Sequence, residues 1–142
     1  AATVILVRVA FAPDGSDRLK MPIDEPTPAM PSTPEWSEIR TELGPKPGDI
    51  IVTKHQWGAF YGTEMDLHLR RRGIKTIVIG GISTNFGVES TARDAFERAF
   101  ALIFAEDAMS SRSAEAHNFA VKTIFPRLGL VRSTADILQA CR

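Results

Sequence analysis

The chain has 142 residues and 15.6 kDa, with 17 Lys+Arg against 17 Asp+Glu and a pI near 7.1, a size suited to one domain around one core. Zero net charge gives no field for steering toward phosphate backbones or anionic lipid, and 44% hydrophobic with 24% charged residues is ordinary globular composition; nucleic acid and membrane surface are not expected partners. The single cysteine, Cys141, excludes an internal disulfide framework and any multi-cysteine zinc site, and the default is a reducing, cytoplasmic compartment.

The longest apolar run, Val4 to Phe11, is broken by Arg8 and falls short of the roughly 20 residues that cross a bilayer. It is β-branched and nearly continuous, the pattern of a strand covered on both faces in a parallel sheet. Six of the nine prolines then fall between Pro13 and Pro34, predicting a surface excursion with at most a short helix near Trp36 to Thr41. Pro45, Pro47 and Gly48 turn the chain into a second strand, Asp49 to Thr53, ending at Lys54. Thr63 can cap a helix carrying Met65 and Leu69, which stops at Gly73 after the basic run Arg70 to Arg72.

Thr76 to Ile79 predicts a third strand, followed by Gly80-Gly81 and a helix with Val88, Ala92, Ala95, Phe96 and Ala99 on one face. Ala101 to Ala105 predicts a fourth strand, and Ser113 to Ile124 a helix turning Ala116, Phe119, Ala120 and Ile124 inward. Gly129 to Val131 predicts a last short strand, and Ser133 with Asp136 opens a terminal helix as a capping box. Buried strands alternating with amphipathic helices predict an α/β fold, three layers deep, with a mostly parallel sheet and helices on both faces. Ligands in such folds bind beyond the carboxyl ends of the strands, which groups residues 11–13, 54–62 and 80–87 as candidates.

Gly81-Ile82-Ser83-Thr84-Asn85-Phe86-Gly87-Val88 lies between a predicted strand and a predicted helix, so its backbone donors sit where anions and developing oxyanions are stabilised. By spacing alone, the other reading is a tight turn with glycines for close packing. Neither a dinucleotide fingerprint nor a Walker-type Gly-Lys-Ser/Thr is present, which argues against a flavodoxin-like phosphate binder.

GISTNFGVESTARDA, residues 81–95, resembles the nucleophile elbow of the isochorismatase-like hydrolases, which include nicotinamidases, carbamoylsarcosine amidases and isochorismatases. VTKHQWGAFYGT, residues 52–63, resembles the lysine loop of the same family, and AEDAMSSRSAEAHNFAV agrees with the stretch that follows the next strand. The resemblance covers nearly the whole chain and implies a Rossmann-like isochorismatase fold. It makes Lys54 the catalytic lysine, whose ammonium lies beside a carboxylate and lowers that group's pKa or orients it. It also implies a cis peptide at Ile82-Ser83, oxyanion donors in the amides of Phe86 and Gly87, and substrate contacts at Ile82, Ser83 and Thr84. A homo-oligomer, dimer or tetramer, is implied as well.

Two departures shape the chemistry expected. Gly87 occupies the position where the family's amidases carry a cysteine, so no thiolate attack occurs there; this resembles the isochorismatases that cleave a vinyl ether without a covalent intermediate. The family's acid/base aspartate lies on a strand preceding the one at Val4, and no such strand is found here. These residues are thus expected to be the C-terminal part of a longer chain, lacking a βα unit of roughly 35 to 50 residues. Asp14 and Asp17 do not stand in by position.

Trp57, Phe60 and Tyr61 could wall an apolar substrate pocket, or serve equally as packing or subunit contacts. His55 and His68 show no ligand spacing, so neither metal nor cofactor is expected; His117 reads as a structural hydrogen-bonder and Arg70 to Arg72 as a solvated face. The expected function is hydrolysis of a small molecule without a cysteine nucleophile, of the isochorismate type. The alternative is an inactive relative serving as a binding or scaffold protein.

Overall fold

The computed structural model describes residues 2–25, 29 and 33–141; Pro26, Pro28 and Pro31 of the predicted excursion lie outside them. The chain forms two units, Ala1–Gln56 and Trp57–Arg142.

In the first unit β1 (Ile5–Val9) and β2 (Ile50–Lys54) pair in parallel, with Ile5 opposite Ile50 and Val9 opposite Lys54. The ladder continues at both ends, through Ile50 N–H to the Val4 carbonyl (3.0 Å) and Ala10 N–H to the Lys54 carbonyl (3.2 Å). Between the strands, the helix expected near Trp36 to Thr41 is two single 3₁₀ turns, Pro34–Ser37 and Thr41–Leu43. Pro34 fits the first turn because an initial helical position lacks a partner for its N–H in any case.

The second unit has a parallel sheet in the order β3 (Thr76–Ile82), β4 (Ala101–Ser110), β5 (Leu130–Arg132). Its helices are α1 (Met65–Arg71), α2 (Glu89–Glu97), α3 (Ala114–Phe119) and α4 (Thr134–Ala140). The α/β class with parallel sheets flanked by helices is as the sequence predicts. Met65 and Leu69 of α1 are buried, four residues apart on one face. The Ser133 hydroxyl accepts from Asp136 N–H (3.1 Å) at the start of α4, the predicted cap.

Four details differ from expectation. Gly80 and Gly81 belong to β3, which passes a bulge between Ile79 and Gly81 and pairs Gly81 and Ile82 with Met109 and Ser110 of a longer β4. Gly81 takes φ +123°, a conformation that L side chains rarely adopt. α2 ends at Glu97, leaving Phe96 exposed and Ala99 outside the helix at φ +63°, so neither joins the buried face. The predicted helix from Ser113 becomes α3, a π-turn at Ala120–Ile124 and a 3₁₀ turn at Phe125–Arg127. That change of winding buries Ala120, Val121 and Phe125 and leaves Phe119 exposed.

The centre of the second unit is the Phe104–Phe125 pair, fully buried with rings 4.1 Å apart and nearly parallel. Burying each such side chain contributes about 1.5–3 kcal/mol. No helix among the described residues is long and apolar enough to cross a membrane.

Candidate active site

In the first unit, side chains alternate across β2, so Ile50, Val52 and Lys54 share a buried face while Ile51 is exposed. The strand pattern thus delivers Lys54 to the carboxyl end of β2 with only 8% of its surface exposed. Burial penalises the ammonium and pulls its pKa below the ordinary lysine value. Next to it in sequence, His55 Nδ1 lies 2.6 Å from the Ala10 carbonyl and 3.4 Å from an Asp17 carboxylate oxygen. Both Asp17 oxygens also accept from the Ala12 N–H, at 2.9 and 3.0 Å. Asp17 and His55 thereby fix the loop that follows β1.

In the second unit, the Ile82–Ser83 peptide is cis, as the resemblance implied. Beyond it a single π-turn, Thr84–Val88, leads into α2. The Ser83 carbonyl closes this turn by accepting from Phe86 N–H (3.1 Å) and Val88 N–H (3.2 Å). The Phe86 amide, expected as an oxyanion donor, thus donates within the turn.

Three side-chain bonds anchor the turn. Thr84 Oγ1 meets His117 Nδ1 of α3 at 2.8 Å; Ser111 Oγ donates to Asn85 Oδ1 at 2.6 Å; and Thr91 Oγ1 of α2 donates to the Gly87 carbonyl at 2.7 Å. The Thr91 hydroxyl also accepts from Ala59 N–H at 3.1 Å, tying the loop before α1 to the same turn.

The aromatic residues divide. Trp57 stands 4.8 Å from Phe86, ring centre to ring centre, and both are substantially exposed. Phe60, read as either pocket wall or packing, packs in the core: it is buried against Phe100, with the Arg98 guanidinium over its ring. Tyr61 is exposed, as is Ile82 at 77%. Thr84 is 0% exposed with its hydroxyl bonded to His117, so its side chain supports the turn from behind rather than facing a substrate.

Sequence reading missed the anchoring roles of Thr91, Ser111 and Asn85. Thr91 stands four residues after Gly87, the spacing at which a helical threonine reaches back to a carbonyl, and that signal was present in the sequence. The Ser111–Asn85 bond joins residues 26 apart and has no local signature. Among the described residues, no cluster of three or more His, Cys, Asp or Glu side chains is placed to hold a metal.

The α/β fold with parallel sheets flanked by helices is shared with known proteins. The isochorismatase domain family matches residues 1–136, and the chain belongs to that family of isochorismatase-like hydrolases. It is 53% identical over 137 residues to the isochorismatase family protein YecD of Escherichia coli O157:H7, covering 96% of this chain and 73% of that protein. A ureidoacrylate amidohydrolase, RutB of Azorhizobium caulinodans, is 40% identical over 103 residues, 70% of this chain and 44% of that enzyme. Among solved structures, an isochorismatase family protein from Burkholderia thailandensis superposes with a TM-score of 0.92 at 49% identity, covering 94% of this chain and 70% of that one.

Proposed function

We propose that this domain hydrolyses a small carboxylated or amide-like molecule by direct attack of water, without a cysteine nucleophile. The observation that carries the reading is Gly87, which offers no side chain at the fourth residue of an anchored turn running into α2. For a vinyl ether the balance is simple: an acid delivers a proton to the terminal CH₂ carbon, and water adds to the oxocarbenium carbon and loses its proton to the conjugate base. The hemiketal then collapses to pyruvate and an alcohol. Lys54 orients the acid carboxylate that the resemblance implies; for an amide-like substrate, whose tetrahedral intermediate carries an oxyanion, the Gly87 amide stabilises that charge. A cytoplasmic location and a dimeric or tetrameric assembly belong to the same proposal, checked by cell fractionation and light scattering.

The test is turnover of isochorismate by the purified protein, followed as pyruvate release, with ureido and N-carbamoyl amides assayed in parallel. Lys54→Ala is expected to reduce turnover by about 10²-fold or more, the scale of losing one preorganised charge. Gly87→Cys is expected to yield an acyl-enzyme with activated esters, seen as a mass increase; an unmodified mass would count against an otherwise intact site. The engaged Phe86 amide favours a second reading, a non-catalytic binding module. That reading expects ligand-induced thermal stabilisation without turnover, and partner binding that survives Lys54→Ala.

A further inference from the structure

We propose that His117 is a positioning residue of the elbow: by holding the buried Thr84 hydroxyl, it fixes the direction in which the Gly87 amide points. The inference rests on the reading of that amide as an oxyanion donor.

Thr84 opens the π-turn and is 0% exposed, and its Oγ1 lies 2.8 Å from His117 Nδ1. A buried hydroxyl left without a partner is costly, so the hydroxyl stays on the ring and the turn follows the ring's position. The ring in turn is set by α3. The Ser113 hydroxyl caps that helix by accepting from Ala116 N–H (3.2 Å), and the Ser113 carbonyl accepts from His117 N–H (3.0 Å). Just upstream, Ser111 holds Asn85, so one segment of chain grips two successive residues of the turn. On the far side, Thr91 of α2 grips the Gly87 carbonyl.

A peptide plane rotates as a unit. The Phe86–Gly87 plane, which carries the Gly87 N–H, lies between these two grips. Releasing the Thr84 side leaves it pinned at one end only. His117 itself is assigned no contact with reacting atoms; it acts through Thr84.

The experiment compares the wild-type chain with His117→Ala, His117→Asn, Thr84→Val and the Thr84→Val/His117→Ala double variant. Asparagine can place its amide group near the position of Nδ1, alanine cannot, and valine removes the buried hydroxyl at nearly constant shape. The primary readouts are the ¹H–¹⁵N resonance and hydrogen-exchange rate of the Gly87 amide, with melting temperature as the structural control. His117→Ala and Thr84→Val are expected to shift the resonance and speed exchange by about tenfold. The double variant should match either single one, as for two partners in one interaction, and His117→Asn should return toward wild type. In turnover, kcat should fall about 10- to 100-fold with KM little changed, the scale of a misplaced catalytic group.

A Gly87 resonance unmoved in both His117→Ala and Thr84→Val overturns the inference. So does a uniform loss of melting temperature that asparagine fails to rescue, which would mark a purely structural bond. If the wild-type chain turns over none of the assayed substrates, that result bears on the proposed function, and the Gly87 resonance still decides the role of His117.

Discussion

At Lys54 the local physics is set by one alternation: the residue shares the inward face of β2 with Ile50 and Val52, so a charge sits where a hydrocarbon would pack more cheaply. Burial lowers its pKa from the ordinary 10.5, and the folded state consequently binds fewer protons than the unfolded chain between the two values. The sign follows: the contribution of Lys54 to stability rises as pH rises through that window and is fully present above the unfolded value. Wild type is therefore expected to gain stability relative to Lys54→Met between pH 7 and pH 10 in denaturant titrations. Parallel pH curves for the two proteins would mean that the ammonium is not desolvated. The placement of Lys54 at the end of β2 was legible in the sequence because the strand pattern runs up to it. Phe60 was not, since packing on Phe100 and Arg98 comes from residues about 40 positions away.

Among the elements, β4 carries more than its predicted five residues suggested. Its extension supplies Asp107, whose carboxylate accepts from both the hydroxyl (2.7 Å) and the backbone N–H (2.8 Å) of Thr134, at the first turn of α4. Those two bonds, the hydroxyl first, hold the Asp107 pKa below its ordinary 3.8. The cap is then fully present above that unfolded value and is lost as pH falls below it toward the lower folded one. Asp107→Asn is expected to accelerate hydrogen exchange in α4 at pH 7, with the difference from wild type shrinking as pH falls below 3.8; a constant difference would rule out the ionised cap.

Gly129 offers a second element-scale expectation. A Cβ there would clash with the Leu102 carbonyl oxygen, a backbone atom that cannot swing aside. Gly129→Ala should therefore destabilise by about 1–3 kcal/mol or more, as overpacking does, read from chemical denaturation. The sequence identified each strand and helix start that depends on neighbours, such as the Ser133 cap. It misplaced what depends on distant pairing: Gly80 and Gly81 read locally as a turn, and only Met109 and Ser110 make them strand.

For the molecule as a whole, the parallel pairings lie in two sheets, β1–β2 and β3–β4–β5. β3 ends the second sheet, and Val78 and Ile82 on it are exposed.

The two tryptophans fall one to each unit: Trp36 stacks on Phe11 with centroids 6.2 Å apart, and Trp57 stands against Phe86 of the elbow. The protein thus contains its own optical probe. With Trp36 replaced by phenylalanine, the remaining indole emission reports from the turn beside Gly87, so occupancy of the elbow can be followed in real time without an attached dye.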